Sequence, residues 1–195
     1  MKKLLALFAA LALLVAARAE TYTIDPVHSS VGFSLRHLVS KFSATFTKVS
    51  GAIEYDAAAP EKSSVTATVE IGSINTANDM RNGHLLDAEH NFFDVAKFPA
   101  ATFKSKSWKK TGDDTFDVTG DLTIKDVTKE VVLKTTLLGS GPGMGGATVT
   151  GWEATTKINK ADFHVSGPAM LGKALGDEVT LTLGIEAGHK PAAAK

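Results

Sequence analysis

Residues of the types used by hydrolases lie close together near the start of the sequence. Asp25, His28, Ser29 and Ser30 occupy six positions. In a catalytic triad each group holds the next, and the serine usually lies on a sharp turn beside an oxyanion hole. The sequence has no G-x-S-x-G motif. Asp-Pro and serine also favour bends with local side-chain hydrogen bonds. We therefore expect turn chemistry here, and a hydrolase using His28 and Ser29 remains an alternative.

The histidines could also serve as metal ligands. His28 and His37 are nine positions apart, an odd spacing that places them on opposite faces of one continuous strand. His84, His90 and His164 follow no familiar ligand spacing, and the chain has no cysteine. The sequence therefore predicts no metal site, no cofactor and no enzymatic activity.

The elements that position these side chains are strands. Apolar and polar residues alternate in many segments, as in Val31, Phe33 and Leu35, which is typical of strands with one buried face. Turn sequences such as 111–114 and 139–146 separate the segments. About eight short strands with regular turns indicate an all-β antiparallel sandwich or barrel. Their expected cores are Val31–Leu35, Phe42–Tyr55, Val65–Ile71, Ala101–Trp108, Val118–Ile124, Val131–Leu137, Ala147–Ile158 and Val179–Ile185.

One long segment, 75–99, interrupts the alternation. Met80, Leu85 and Leu86 suggest one or two helical turns within it. An excursion of this length in a compact domain is usually functional, so we expect a short helical lid at one end of the fold. The last residues, 188–195, have nothing to pack and are expected to form a flexible C-terminal tail.

The N-terminus has the layout of a secretory signal peptide. Lys2 and Lys3 precede an apolar run that ends in Ala17-Arg18-Ala19. We expect residues 1–19 to be cleaved after Ala19, which indicates export to a bacterial periplasm. The mature chain then has three more acidic than basic side chains. This balance disfavours nucleic-acid binding, which needs a basic surface.

Five stretches of the sequence together form a distinctive pattern. They are "IDPVHSSVGFSLRHL" at 24–38, "DVAKFPAATFKSKSW" at 94–108, "VTGDLTIKDVTKEVVL" at 118–133, "GWEATTKINKADF" at 151–163 and "LGDEVTLTLGIEA" at 175–187. This pattern resembles the YceI-like family of periplasmic polyisoprenoid-binding proteins. The stretches occur in the family's order and span nearly the whole mature chain.

The resemblance implies a lipocalin-like, eight-stranded antiparallel β-barrel over residues 20–187. It also implies a long isoprenoid, polyprenyl or quinone-like lipid held in an apolar lumen for carriage or storage. Some relatives are linked to stress responses, so a stress-response or interaction protein with a filled barrel is the alternative. Transient membrane contact fits either role, and the sequence leaves the oligomeric state open, with a homodimer among the options.

The strand faces and the many phenylalanines supply candidate lumen residues. These are Phe33, Leu35, Phe42, Phe46, Val69, Ile71, Phe92, Phe93, Phe103, Leu122, Ile124, Leu133 and Leu183. A charged head group would lack a partner inside such a lumen, because an unpaired buried charge is very costly. We therefore expect it at a mouth, near polar residues. The candidates are His28, Arg36, His37, Arg81 and Asp162.

Overall fold

A computed structural model describes residues 19–189 of the chain. It contains one eight-residue helix, α1 (Asp79–Leu86), and eleven strands. The strands are β1 (Glu20–Ile24), β2 (Ser30–His37), β3 (Ser40–Phe46), β4 (Val49–Tyr55), β5 (Ser64–Glu70), β6 (Ile74–Asn75), β7 (Ala100–Lys110), β8 (Thr115–Ile124), β9 (Val127–Pro142), β10 (Thr148–Asn159) and β11 (Leu175–His189). Short 3-10 segments span Pro60–Lys62, Ile71–Ser73, Met144–Gly146, Lys160–Phe163 and Ala169–Ala174.

The strands close into one antiparallel barrel. The last strand, β11, pairs with β10 on one side and with both β1 and β2 on the other. β1 and β2 are two parts of a single barrel strand, and so are β3 with β4 and β5 with β6. Counted in this way, the eleven elements make a closed eight-stranded antiparallel barrel. The predicted fold class is confirmed.

The break between β1 and β2 is bridged by a side chain. Beyond Ile24, which is paired with Ala187, the backbone leaves the ladder and rejoins it at Ser30, which is paired with Gly184. In the gap, the Ser29 hydroxyl donates to the Glu186 carbonyl (3.2 Å) and accepts from the Glu186 amide (3.1 Å). The Glu186 carbonyl also accepts from the Asp25 amide at 2.8 Å, so Ser29 is the partner of the Glu186 amide in particular.

An aromatic cluster closes one end of the barrel. Tyr55, Trp108, Phe116 and Trp152 pack together, with ring centroids 5.0–6.4 Å apart. The last three rings are almost fully buried. The Trp152 indole donates to the Thr150 hydroxyl at 2.9 Å. We call this the aromatic end, and it lies toward the β9–β10 turn.

The segment between β6 and β7 covers part of the opposite end. It contains α1, whose N-cap Asn78 accepts a hydrogen bond from the Arg81 amide at 2.9 Å. Leu85 is buried, and its carbonyl accepts from the Phe93 amide at 3.1 Å. The prediction of a short helical segment within 75–99 agrees with α1. Whether the segment moves as a lid remains a prediction.

Two predicted boundaries differ from the structure. The expected strand over Phe42–Tyr55 is divided at Thr47 and Lys48, since the first half pairs with β2 and the second with β1. The last strand continues through His189, two residues into the predicted tail. The other tail residues and the predicted signal peptide, apart from Ala19, lie outside the described residues. No helix within residues 19–189 is long and apolar enough to cross a membrane.

Candidate functional site: an apolar lumen

The residues that suggest a hydrolase do not form a triad. The His28 Nδ1 lies 2.8 Å from the Asp25 carboxylate and 3.6 Å from that of Glu186. The hydrogen bond to Asp25 raises the pKa of His28 above 6.5, and the same bond lowers the pKa of Asp25 below 3.8. The Ser29 hydroxyl bonds to the backbone of Glu186 and not to His28. No proton path from serine to histidine exists here.

The same histidine belongs to a group of metal-binding residue types. Ligand atoms of Asp25, His28 and Glu186 all lie within 4.8 Å of one another. However, the His28 nitrogen that faces them already makes a hydrogen bond to Asp25. His37, the other histidine of the sequence pair, lies elsewhere, at the end of β2.

The barrel encloses a lumen that consists of two adjacent cavities. The larger cavity, about 570 Å³, reaches the end of the barrel that carries α1. A smaller one of about 110 Å³ continues toward the aromatic end and is lined by Trp108 and Trp152. Both cavities are lined by Val31, Val69, Ala101, Leu122 and Leu181. The two cavities therefore lie next to each other along the barrel axis.

All thirteen predicted lumen residues line this space. The larger cavity is lined by Phe33, Leu35, Phe42, Phe46, Val69, Ile71, Phe92, Phe93, Leu122 and Ile124. The smaller one is lined by Phe103, Leu133 and Leu183, together with Val69 and Leu122. Their positions follow from strand alternation and from phenylalanines of the 75–99 segment that turn inward. Their role in ligand binding stays a prediction.

The five predicted mouth residues do not come together. His37 and Arg81 line the larger cavity at its open end. His28 lies beside Glu186 on the barrel wall, so its placement at the mouth is wrong. Arg36 belongs to the same end, but its guanidinium donates outward to the carbonyls of Leu38 and Lys173.

Asp162 also lies outside the lumen. It is exposed within the 3-10 turn Lys160–Phe163 and does not line the cavity. Its neighbours Lys160 and Phe163 both line the larger cavity, so Asp162 lies at the same end of the barrel as the mouth. Its contact with a head group stays a prediction. Arg36 lies between Leu35 and His37, which line the cavity, and alternate residues of a strand point to opposite faces.

Sequence reasoning missed four basic residues that line the larger cavity: Lys41, His84, His90 and Lys160. Lys160 is buried, and its ammonium donates to the Asp177 carboxylate at 3.0 Å and the Ser166 carbonyl at 3.3 Å. Strand alternation provides the missed signal. Extended past Trp152 and Ile158, the inward positions of β10 reach residue 160.

Histidine side chains from both ends of the α1 region stack at the mouth. The rings of His84 and His90 have centroids 4.3 Å apart and planes inclined by 22°. The His90 Nδ1 lies 2.8 Å from both oxygens of Asp87, a bond that lowers the pKa of Asp87 below 3.8. Arg81 completes this side of the mouth. Its guanidinium lies 5.0 Å from the Phe42 ring centroid and donates to the Thr76 carbonyl at 2.6 Å.

The sequence and the fold are similar to those of known proteins. The sequence profile of the YceI-like domain matches residues 22–187. The chain belongs to the YceI-like family. A UPF0312 protein of Pseudomonas syringae pv. tomato is 38% identical over 184 residues, covering 92% of this chain and 95% of that protein. A UPF0312 protein of Azotobacter vinelandii is 38% identical over 176 residues, covering 87% and 88%.

Solved structures of YceI-like and related proteins have the same barrel. The YCEI protein of Campylobacter jejuni has a TM-score of 0.69 at 30% identity, covering 78% of this chain and 88% of that one. Burkholderia cenocepacia BcnA has a TM-score of 0.75 at 24% identity, covering 84% and 99%. A polyisoprenoid binding domain from Saccharophagus degradans has a TM-score of 0.66 at 17% identity, covering 87% and 98%. At identities of 24% and 17%, the similarity to the last two structures shows a shared fold and nothing more.

Proposed function

We propose that this YceI-like protein is exported to the periplasm and holds a long isoprenoid or similar amphiphile in the barrel for carriage or storage. The observation that carries the proposal is the lumen, an apolar space of about 570 Å³ with an inner extension of about 110 Å³. Pockets of roughly 300–1,000 Å³ are typical for small-molecule ligands. The elongated shape favours one extended chain over a compact ligand.

The energetics suit a ligand that binds through its chain. Each buried CH2 group contributes about 0.8 kcal/mol. Four isoprene units then contribute about 16 kcal/mol, which offsets an association cost of about 4–15 kcal/mol. No specific polar contact is required for retention. A lumen of this kind binds a class of chains rather than a single compound.

The ligand's head group belongs at the end of the barrel with α1. His37, Lys41 and Arg81 line the cavity there, so a polar or anionic head would meet the cationic Lys41 and Arg81, the His37 ring and water. Lys160 contributes mainly its aliphatic stem, because its ammonium is already paired with Asp177. At the other end the aromatic cluster offers rings suited to the end of an apolar chain.

The similarity to the Saccharophagus degradans domain supports this class of ligand. That domain is described as polyisoprenoid binding, and its barrel overlaps with this one over most of both chains. Two alternatives are disfavoured by the geometry. A filled barrel does not fit a cavity of about 570 Å³, and a hydrolase does not fit a Ser29 whose hydroxyl is bonded to Glu186.

Native mass spectrometry of protein purified from the periplasm tests the proposal. We expect a copurifying hydrophobic compound that is lost when the protein is denatured. The variant Ala101→Phe should retain far less of it, because Ala101 lines both cavities and a phenyl ring there would occupy part of their volume. A cleaved signal should appear as a mature mass beginning at Glu20.

A matched control is available one residue away. Ala100 alternates with Ala101 on β7 and does not line either cavity, so Ala100→Phe should keep the compound. Circular dichroism checks that both variants fold. Identical masses for native and denatured protein, with no compound extracted, would contradict the proposal. Equal retention by the two variants would place the compound outside the lumen.

A further inference from the structure

Several large apolar side chains are exposed around the open end of the barrel. Val39 is fully exposed, Met170 is 89% exposed and Leu38 is 57% exposed. Leu38 and Val39 form the turn between β2 and β3, whose flanking residues His37 and Ser40 line the cavity. Met170 lies in the 3-10 segment beside that turn and lines the cavity edge. Exposed apolar groups that cluster in this way mark interaction sites.

The turn sequence is poorly suited to its conformation. Leu38 has a φ of 50°, a left-handed value that favours glycine in a two-residue hairpin turn. A leucine followed by a valine is therefore unfavourable both for the turn and for contact with water. Backbone strain of this kind is commonly retained at functional positions.

Hydrogen bonds hold these apolar side chains outward. The Leu38 amide donates to the Ala174 carbonyl at 2.7 Å. The Arg36 guanidinium joins the same two segments, since it donates to the Leu38 carbonyl at 3.0 Å and to the Lys173 carbonyl at 2.8 Å. The turn and the 169–174 segment thus form one fixed ledge beside the mouth. We call it the mouth ledge.

Basic side chains surround the mouth ledge. They are Arg36, Lys41, Arg81 and Lys173, and none of them takes part in an ion pair within residues 19–189. Two acidic groups nearby have partners: Asp177 pairs with Lys160, and Asp87 is hydrogen-bonded to the His90 ring. Asp79, Glu89 and Asp162 are the exceptions. Exposed apolar side chains surrounded by basic side chains are typical of proteins that bind anionic membrane surfaces.

We propose that the mouth ledge docks on the surface of an anionic phospholipid bilayer, with Leu38, Val39 and Met170 inserted among the lipids. This inference rests on the proposed function, because an insoluble amphiphile must enter the lumen from a membrane. Docking at the ledge would place the mouth of the lumen against the bilayer. The ligand would then pass between the two without crossing water.

Flotation with lipid vesicles tests the docking. We expect the protein to bind vesicles of phosphatidylglycerol and phosphatidylethanolamine, and to bind less to phosphatidylcholine or at high salt, which screens the basic side chains. The variant Leu38→Gly with Val39→Asn should reduce binding about tenfold, because two apolar anchors are lost. Glycine and asparagine suit such a turn, so the variant should fold at least as well. Lys173→Gln should weaken binding to anionic vesicles alone.

Matched controls lie at the opposite end of the barrel. Met144 is as exposed as Met170, and Lys109 is an exposed lysine on β7 near the aromatic end. Met144→Gln and Lys109→Gln should leave vesicle binding unchanged. Equal binding by ledge and control variants would overturn the docking. The docking would also be overturned if the ledge variant still bound vesicles but changed from a dimer to a monomer in light scattering.

A second readout separates this inference from the proposed function. Neither Leu38 nor Val39 lines the lumen, so the ledge variant should still copurify with its compound in native mass spectrometry. Loss of vesicle binding with retained compound supports the docking. If the parent protein copurifies with a compound but does not bind vesicles, only the docking is refuted. If it binds vesicles but copurifies with no compound, only the lumen ligand is refuted.

Discussion

His28 illustrates how residue types that suggest catalysis can serve structure. Its ring, with the carboxylates of Asp25 and Glu186, lies where the β1–β2 strand leaves the ladder. The Ser29 hydroxyl bonds to the amide and carbonyl of Glu186 at the same place. The four residues together stabilise an interruption in a barrel strand. Because His28 and Asp25 are exposed, we expect a small energetic effect that is visible mainly in their titration.

The pairing predicts a shifted titration of His28. Its pKa in the folded protein lies above 6.5, because the ring bonds to Asp25 and also faces Glu186. The stabilisation that comes from the protonated ring is fully present below about pH 6.5 and is lost as the pH rises through the folded pKa. The pKa of Asp25 in the folded protein lies below 3.8. The stabilisation that comes from its carboxylate is therefore fully present above about pH 3.8 and is lost as the pH falls through the folded pKa. The pair therefore stabilises most between these limits.

NMR titration of the His28 ring checks the shift. Asp25→Asn should lower the pKa of His28, and unfolding at several pH values should show the largest loss of stability between about pH 4 and pH 6.5. Asp162→Asn, at the other end of the barrel, serves as control and should leave His28 unchanged. A His28 titration that is the same in all three proteins would show that the contact is absent in solution.

The broken strands give the barrel its unequal ends. Each of the first three barrel strands is divided, whereas β7 to β11 run uninterrupted for 10–16 residues. The divided strands can bend, so one end of the sheet spreads around the larger cavity. Gly51 in β4 contributes to this geometry, since it has a φ of 143°. A Cβ atom there would lie 2.1 Å from the Thr66 carbonyl oxygen.

Substitution at Gly51 should therefore destabilise the barrel strongly. Both the backbone angle and the contact with β5 exclude a side chain, so Gly51→Ala should lower the free energy of unfolding by about 3 kcal/mol. Gly184, in β11, has open space at its Cβ position and no left-handed angle. Gly184→Ala should be neutral or stabilise by about 0.5 kcal/mol.

Urea denaturation of both variants measures the difference. A Gly51→Ala protein as stable as the parent would show that β4 takes a different path. A destabilised Gly184→Ala protein would show that its outward face is covered in solution. Either result would revise the positions of these strands.

The molecule as a whole combines a closed aromatic end, an apolar lumen and a polar, open end. A barrel of this kind is stabilised by its bound ligand, because a ligand that binds only the folded state adds to the free energy of unfolding. An empty cavity of about 570 Å³ also forgoes the packing contacts that its walls would make. The folded protein should therefore be more stable when loaded.

Thermal unfolding of loaded and lipid-stripped protein tests this coupling. At a free ligand concentration 100 times the dissociation constant, the gain is about 2.7 kcal/mol. For a domain of this size that corresponds to an increase in Tm of about 5–10 °C. The Ala101→Phe variant should show a smaller difference between its two preparations. An equal Tm for loaded and stripped parent protein would argue that the cargo does not occupy the lumen.

Much of the barrel follows from local pattern in the sequence. Alternation along strands such as β2 and β8 identifies inward-facing residues, because each side chain in a strand points opposite to its neighbours. Local pattern also predicts the helical turns around Leu85. It does not predict that Phe42–Tyr55 is divided, since this depends on β3 and β4 pairing with two different parts of the β1–β2 strand.

The sequence was sufficient to identify an all-β chain and the side chains that line its interior, since strand periodicity is a local property. The arrangement of the mouth depends on contacts between distant segments. Arg36 turns outward to Lys173, Lys160 turns inward to Asp177, and His28 lies on the wall beside Glu186. Each of these partners is between 17 and 158 residues away along the chain. The pairing of β11 with β10 and with the β1–β2 strand brings these residues together, so the mouth could be located only from the folded structure.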